Sequence, residues 1–219
     1  MGTAVITGSN KGIGLALCRE LKVRGQRVVA TCRRASAALL QTGVEVVEGI
    51  DVTDAAATDR LRARLGARPI DLLINNAGIT ARESFDTLDL GTIRDQFEVN
   101  SLGPVRVTKT LVENLRAGSK VVILGSRAGS LASIDSGGRY AYRMSKAAVN
   151  MAGVILAHDL RPREIAVLLL YPGYVATEMM NYEGIAPSKS AVQILHRIDR
   201  LGMQQSGMFY HVNGEMLSW

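Results

Sequence analysis

The sequence predicts an α/β protein in which one doubly wound, parallel sheet of about seven strands carries helices on both faces. Seven short apolar runs rich in β-formers alternate with helix-like stretches along the 219 residues. Most of these runs are continuously apolar rather than alternating, which indicates strands buried on both faces, as in a parallel sheet covered by helices. No repeat, low-complexity tract or linker divides the chain, so we expect a single domain over residues 1–219.

The elements follow in order along the chain. The predicted strands are 3–7, 27–32, 44–49, 71–75, 120–126, 165–171 and 207–212. Apolar residues at a spacing of four, Ile13, Leu17 and Leu21, predict a helix over 12–24. A second helix, 144–158, is apolar enough either to be buried against the sheet or to face a second subunit. A monomer, a homodimer and a homotetramer therefore all stay open.

Composition favours a folded domain that is neither membrane-spanning nor exported. Hydrophobic residues make up 47% of the chain and charged residues 21%. The longest uncharged apolar run, "AAVNMAGVILA", has 11 residues, well short of the roughly 20 needed to span a membrane. The start, "MGTAVITG", lacks the features of a signal peptide. We expect a cytoplasmic protein.

The distribution of charge and the spacing of cysteine and histidine argue against nucleic-acid-binding proteins and against proteins built on a metal or on disulfides. The net charge is +6, but Lys and Arg are dispersed and aromatic residues are only 5%, so we expect no nucleic-acid partner. A basic surface that attracts an anionic ligand is the simpler interpretation. The two cysteines and three histidines show no ligand-like spacing, so we expect neither a metal nor a disulfide scaffold.

The strongest local signal is the glycine-rich segment "TGSNKGIG" (7–14), which joins the first strand to the first helix. Gly8 permits a tight turn, Gly12 lets the backbone approach a phosphate, and Gly14 lets the helix pack closely on the strand. A tight turn alone could need these glycines, but the position after the first strand favours a dinucleotide on the helix N-terminus. The expected contacts of this segment are Gly8, Ser9, Asn10, Lys11, Gly12, Ile13 and Gly14.

Four ordered motifs together carry a family resemblance. The spacing Gly-x-x-x-Gly-x-Gly, "NNAG" (75–78), "YRMSK" (142–146) and "YPGYVAT" (171–177) resemble the short-chain dehydrogenase/reductase superfamily over essentially the whole chain. The segments "GGRYAYRMSKAAVN" and "NGEMLSW" are similar to the branch of C-factor and Sniffer-type carbonyl reductases. The resemblance implies a Rossmann-type fold, a nicotinamide cofactor and hydride transfer.

Two tyrosines, in "YAYRMSK" (140–146), compete for the role of proton donor. A tyrosine with a pKa near 10 is poorly matched to acid–base work at neutral pH, and a nearby cation lowers that pKa. On a helix Tyr142 and Lys146 lie one turn apart, whereas Tyr140 and Lys146 do not share a face. We therefore predict that Tyr142 is catalytic and that Tyr140 is packing or pocket wall. The resemblance implies that Lys146 also binds the nicotinamide ribose.

The resemblance adds two residues to the catalytic set. Ser126, which ends the fifth predicted strand, would hold the substrate oxygen, although a turn serine is an ordinary alternative. Asn100 would interrupt a helix and hold a water leading to the lysine, although a mid-helix asparagine often faces solvent. Gly125 stands where the family often has serine. The 16 residues from Ser126 to Tyr142 exceed the family's usual ~13, so the intervening loop must be longer.

The second strand ends in "ATCRRAS" (30–36), which contains no acid to hold a ribose hydroxyl. Arg33 and Arg34 could instead bind a 2′-phosphate, with help from Lys11, so we predict NADPH, with NADH as the weaker cofactor. Two solvated arginines at a strand end are the alternative. By resemblance, further cofactor contacts are Asp51, Val52, Asn76, Ala77, Gly78, Pro172, Gly173, Val175 and Thr177. Asp51 could equally be a turn residue.

Arg127, Tyr174 and the segment 178–188 should bound the substrate pocket. The leading hypothesis is an NADPH-dependent reductase of a small-molecule ketone, aldehyde or quinone, with a tyrosine as general acid and base. The alternative is an NAD(P)-binding signalling or redox-sensing protein in which turnover is incidental.

Overall fold

The computed structural model describes residues 2–219, in which one sheet contains seven parallel strands in the order β3-β2-β1-β4-β5-β6-β7. The predicted sheet is confirmed. The strands are β1 (Thr3–Ile6), β2 (Arg27–Thr31), β3 (Glu45–Val47), β4 (Ile70–Asn75), β5 (Leu115–Leu124), β6 (Ala166–Tyr171) and β7 (Phe209–His211).

The boundaries predicted for the fifth strand, 120–126, are wrong at both ends. β5 begins at Leu115, which pairs with Ile70, and its register with β4 then shifts before Lys120 pairs with Leu72. The exposed residues 116–118 lie in this irregularity, where Gly118 has a φ of 86°. A polar, glycine-containing bulge interrupts the apolar pattern and hides the start of the strand from sequence analysis.

Helices cover the sheet on both faces. They are α1 (Gly12–Val23), α2 (Ala37–Leu40), α3 (Ala55–Leu65), α4 (Leu90–Phe97), α5 (Gly103–Leu111), α6 (Tyr140–Leu160) and α7 (Pro187–Arg200). The helix predicted over 12–24 is α1, and the one predicted over 144–158 lies inside the longer α6. In α6, Val149 is buried, whereas Met151 and Ile155 are more than half exposed. The apolar character of this helix is therefore only partly explained by packing on the sheet.

Two apolar layers result from alternation along the strands. In β1, Ile6 belongs to the layer that packs against α1 and α7, whereas Val5 belongs to the layer that packs against α3, α5 and α6. In β4, Ile74 and Leu73 divide between the two layers in the same way. Strands buried on both faces explain why their sequences are continuously apolar.

The sheet reverses its order between β1 and β4, so the chain leaves these neighbouring strands toward opposite faces. A cleft opens at such a switch point, beyond the carboxyl ends of the strands. The glycine-rich segment 7–14 follows β1, and residues 76–78 follow β4. The topology thus brings together two motifs that are far apart in sequence.

Within residues 2–219, no helix has both the length and the apolar character needed to cross a membrane.

Candidate active site

A cleft of about 800 Å³ lies at this edge of the sheet. Most residues predicted to bind cofactor line it: Gly8, Asn10, Lys11, Gly12, Ile13, Arg33, Arg34, Asp51, Val52, Asn76, Ala77, Gly78, Pro172, Gly173, Val175 and Thr177. Three of the four predicted catalytic residues, Ser126, Tyr142 and Lys146, also line it. Ser9, Gly14 and Asn100 are buried and do not line the cleft, so their predicted roles stay predictions.

Two glycines of the segment 7–14 are required by close backbone contacts. Gly8 has a φ of 67°, and a Cβ atom there would lie 2.8 Å from the Cα atom of Ala77. A Cβ atom at Gly14 would overlap the carbonyl oxygen of Gly8. Any larger residue would therefore push the start of α1 away from the ends of β1 and β4.

Side chains of Thr7 and Asn76 hold the two sides of the cleft together. The Thr7 hydroxyl accepts hydrogen bonds from the backbone N–H groups of Asn76 and Ala77, both at 3.1 Å. The Asn76 amide donates to the carbonyl oxygens of Thr7 and Gly8, at 2.9 and 3.0 Å. Asn76 thus supports the glycine-rich turn with the side chain that sequence analysis assigned to the cofactor cleft. Thr7 was not singled out, and its only signal was a polar residue at the end of an apolar strand.

The two candidate tyrosines have different surroundings. Tyr142 is 8% exposed, and Ser126 is close enough to act on it and lower its pKa. Tyr140 lies outside the cleft lining, with its ring centroid 6.5 Å from that of Phe85. The structure therefore brings Ser126, Tyr142 and Lys146 together and leaves Tyr140 as a packing residue.

The pKa of Tyr142 differs from the sequence-based expectation. Burial raises the pKa of Tyr142, and the nearby Ser126 side chain and the charge of Arg139 only partly oppose it. Burial also lowers the pKa of Lys146 to about 8, and its Nζ atom donates to the carbonyl oxygen of Leu124 at 2.9 Å. The Nζ atom of Lys146 lies 5.8 Å from the Tyr142 ring centroid, and its effect on the tyrosine pKa stays a prediction. A second cation, Arg139, lowers the Tyr142 pKa, and its Cζ atom lies 4.8 Å from the ring centroid.

Asn100 is buried in a π-helical turn, Glu98–Leu102, that joins α4 to α5. Its Oδ1 atom accepts from the backbone N–H of Ile79 at 2.8 Å, and its Nδ2 atom donates to the Ile79 carbonyl and to the Ser145 hydroxyl. The alternative that Asn100 faces solvent is therefore wrong. A helix is interrupted here, as the resemblance implied, and the side chain fixes the chain after β4 to the start of α6.

Charged residues surround the outer part of the cofactor half. Arg33 and Arg34 are exposed on the cleft wall. Asp51 accepts hydrogen bonds from the backbone and hydroxyl of Thr53, so it is both a turn residue and a lining residue. Burial alone would raise the Asp51 pKa, but the Thr53 hydrogen bonds and the charges of Arg33 and Arg106 together lower it. An ionised Asp51 is the result.

Lys11 forms an ion pair with Glu178. The partner follows β6, in a segment where Val175 forms a β-bridge with Ile185. This segment therefore closes over the glycine-rich turn. Lys11, which sequence analysis assigned to a phosphate, meets a carboxylate in this arrangement.

The other end of the cleft is lined by Arg127, Tyr174 and residues of the segment 178–188, as predicted for the substrate pocket. Sequence analysis did not identify Arg139 and Arg143, which also line it. Arg139 precedes α6 in a left-handed conformation, with a φ of 57°. Only its place directly before "YAYRMSK" could have drawn attention to it.

Comparison with family models and curated relatives agrees with this geometry. The model described as short chain dehydrogenase matches residues 2–186. The 1-hydroxy-2-glutathionyl-2-methyl-3-butene dehydrogenase of Rhodococcus sp. (strain AD45) is 38% identical, with all of both chains covered. The C-signal of Myxococcus xanthus is 41% identical over 69% of this chain and 93% of its own length.

Solved structures give the same result. The carbonyl reductase Sniffer of D. melanogaster is 28% identical with a TM-score of 0.91, and all of both chains are covered. The NADPH-bound carbonyl reductase from chicken fatty liver is 25% identical with a TM-score of 0.90 over 99% of this chain and 98% of that chain. Both protein types that the sequence resembles, C-factor and Sniffer, therefore occur among the matches, which confirms the resemblance.

Proposed function

This chain belongs to the short-chain dehydrogenase family of oxidoreductases, and we propose that it reduces a carbonyl compound with NADPH, using Tyr142 as the proton donor. The observation that carries the proposal is the pair of buried neighbours Ser126 and Tyr142 on the cleft wall, with Lys146 one helical turn further on. A polar group of this kind, buried beside an open cleft, is placed to act on a substrate oxygen.

The cleft fits the cofactor. Gly12 and Gly14 carry no side chain in the first turn of α1, so a pyrophosphate could approach the free N–H groups there. Arg33 and Arg34 form no ion pair with an acid in residues 2–219 and lie where a 2′-phosphate would be expected. The similarity to an NADPH-bound reductase supports the same choice.

The residues then have separate tasks. When bound, NADPH supplies the hydride that reduces the substrate carbon. Ser126 donates a hydrogen bond to the substrate oxygen, which strengthens as negative charge develops there. Tyr142 gives its proton to that oxygen, and the nearby charges of Arg139 and Lys146 favour the phenolate that remains. Lys146 would also bind the ribose hydroxyls of the cofactor.

Direction and substrate are tested with a panel. NADPH oxidation would be followed with aldehydes, ketones and quinones, and NADP⁺ reduction with the corresponding alcohols, because the Rhodococcus relative is named as the dehydrogenase of a hydroxy compound. We expect turnover on members of the carbonyl set that disappears in Tyr142→Phe. Tight NADPH binding without turnover on any member would contradict the proposal.

Tight NADPH binding without turnover would instead favour a signalling or redox-sensing role, in which the bound cofactor controls a protein contact. The similarity to the C-signal of Myxococcus xanthus is the observation in its favour. The buried Ser126–Tyr142 pair favours chemistry, because a cofactor sensor has no need of a proton donor beside the cleft.

A further inference from the structure

The substrate end of the cleft is strongly basic. Arg127, Arg139 and Arg143 come from the turn after β5 and from the start of α6, and all three line this end. In the described part of the chain, only two acids line the cleft. One of them, Asp51, lies in the cofactor half, and the other, Glu178, is paired with Lys11. The three arginine charges are therefore not balanced by lining acids.

The positions of two of these arginines are unfavourable for the fold itself. Arg139 and Arg143 stand at the N-terminus of α6, where the helix dipole favours anions, and the first turn of α6 contains no acid. Arg139 also adopts a left-handed backbone conformation, which is costly for a residue other than glycine. Residues that oppose local stability in this way are typical of functional sites.

These two side chains also keep unused hydrogen-bonding capacity. Within residues 2–219, the Nε atoms of Arg139 and Arg143 are buried and lack a partner, and neither guanidinium forms an ion pair. Glu83, the neighbouring acid, accepts from the backbone N–H of Ala141 through its Oε1 atom, while its buried Oε2 atom also lacks a partner in the described residues and forms no ion pair with either arginine. Because both arginines line the cleft without an ion-pair partner, an anion bound there would balance their charge.

The three arginines differ in how many hydrogen bonds and ion pairs they already form. Arg143 donates to the carbonyl and hydroxyl of Ser136, which fixes its head group. Arg127 forms an exposed ion pair with Glu215 at 3.5 Å, and its Cζ atom lies 5.9 Å from the centroid of the Tyr171 ring. The Arg139 guanidinium lies over the Tyr142 ring, and its hydrogen bond to the Thr80 hydroxyl is long, at 3.5 Å. Of the three arginines, Arg139 therefore has the most hydrogen-bonding capacity left for a ligand. An anion at Arg139 would therefore lie close to the proton donor.

We propose that the substrate is a carboxylate-bearing carbonyl compound whose carboxylate binds Arg139, with Arg127 and Arg143 supplying additional positive charge. This inference rests on the proposed reductase activity and specifies the class of its substrate. Guanidinium suits a carboxylate because two parallel N–H groups match its two oxygens. The carboxylate then positions the carbonyl group at Ser126 and Tyr142.

A matched pair of aldehydes tests the proposal: 4-formylbenzoate and its neutral methyl ester, each reduced with saturating NADPH. The measured quantity is the ratio of kcat/KM for the acid over the ester. In the wild type we expect a ratio of roughly tenfold to a hundredfold in favour of the acid, which falls as salt is raised. Arg139→Gln should bring the ratio near one, and Arg139→Lys should keep part of it. Arg161→Gln, an exposed arginine just beyond the far end of α6, is the control and should change nothing.

The ratio separates this role from an effect on Tyr142. If Arg139 acted only on the tyrosine pKa, Arg139→Gln would slow both aldehydes equally, and an unchanged ratio would overturn the proposal. A wild-type ratio near one would overturn it as well, while leaving the reductase activity intact. Binding of 4-formylbenzoate to the NADP⁺-loaded protein, measured by calorimetry, supplies an independent readout. Binding that depends on Arg139 without any turnover would support the anion site and contradict the reductase.

Discussion

The two halves of the cleft are built differently. The cofactor half is defined by backbone geometry: Gly8 and Gly14 allow close approach, and buried hydrogen bonds of Thr7 and Asn76 lock the ends of β1 and β4 together. The substrate half is defined by side chains on connecting segments, chiefly Arg139 and Arg127. We therefore expect the first half to be rigid and general and the second half to determine which substrate is selected.

The difference follows from how each half gains its stability. Strand ends in the centre of a parallel sheet are held by the two apolar layers, so the turns that follow them have little freedom. The loop from Ser126 to Tyr142 includes the largely exposed residues 131–137 and is joined to the C-terminus through the Ala132–Trp219 backbone hydrogen bond. Specificity can change in such a loop without disturbing the cofactor half.

Tyr142 lies where the two halves meet, so its loss should have the largest effect. Tyr142→Phe removes the transferable proton and almost no volume, and kcat should fall by roughly 10²- to 10⁴-fold with little change in the NADPH dissociation constant. Tyr140→Phe is the matched control, because this ring packs on Phe85 outside the cleft. A dead Tyr140→Phe beside an active Tyr142→Phe would reverse the assignment.

In the proposed mechanism, Ser126 binds the substrate oxygen beside the same tyrosine. Ser126→Ala should lower kcat by about a hundredfold, since it removes one donor from the developing oxyanion. Ser133→Ala is the control, because Ser133 also lines the cleft but its hydroxyl bonds to Ser130. Stopped-flow measurement of NADPH oxidation in a single turnover would give the rates. A wild-type rate in Ser126→Ala would move the oxyanion role to another residue.

The cofactor half should distinguish the two nicotinamide cofactors through charge. A unit pair near a protein surface at 4 Å is worth about 4 kcal/mol before desolvation, so a net preference for NADPH of roughly ten- to a hundredfold is expected. Replacing Arg33 with Asp and Arg34 with Ala together should remove it, and salt should erode it in the wild type. The measurement is kcat/KM for NADPH divided by that for NADH. A ratio unmoved by the double substitution would show that both arginines are only surface charge.

The smallest predicted effect is on stability, through the residue that caps α6 beside the substrate half. The Glu83 carboxylate accepts from the backbone N–H of Ala141 at 2.6 Å and thus caps α6 from a distant loop. Glu83→Ala should lower the free energy of unfolding by about 1 kcal/mol, and Glu83→Gln by less because it keeps an acceptor. Urea titration would measure this, with Glu113→Ala, an exposed ion-pair residue, as the control. Equal stabilities of Glu83→Ala and the wild type would contradict the capping role.

The sheet, its seven strands and the cofactor motifs could be predicted because they depend on local patterns. Apolar runs, a glycine-rich turn and the spacing of Tyr142 and Lys146 are all visible within a few residues. The bulge in β5 could not be predicted, since Leu115 pairs with Ile70 across 45 positions of sequence. The pKa of Tyr142 was also beyond reach, because burial, which no sequence spacing reports, outweighs the nearby cations.

Arg139 and Glu83 show the same limit in the site. Arg139 reads as an ordinary polar residue in a glycine-containing loop, and only the fold places its guanidinium over the Tyr142 ring. Glu83 caps α6 although 58 positions separate it from Ala141. Contacts between distant segments determine the substrate half, whereas local sequence determines the cofactor half.

Isotope transfer tests the central claim most directly. NADPH carrying deuterium at the transferred position would be incubated with the wild type and a carbonyl compound from the active panel, and the product alcohol analysed by mass spectrometry. The account predicts deuterium on the carbinol carbon with the wild type and with Tyr140→Phe, and almost no product with Tyr142→Phe. Product without deuterium, or deuterated product formed at the wild-type rate by Tyr142→Phe, would contradict hydride transfer assisted by this tyrosine.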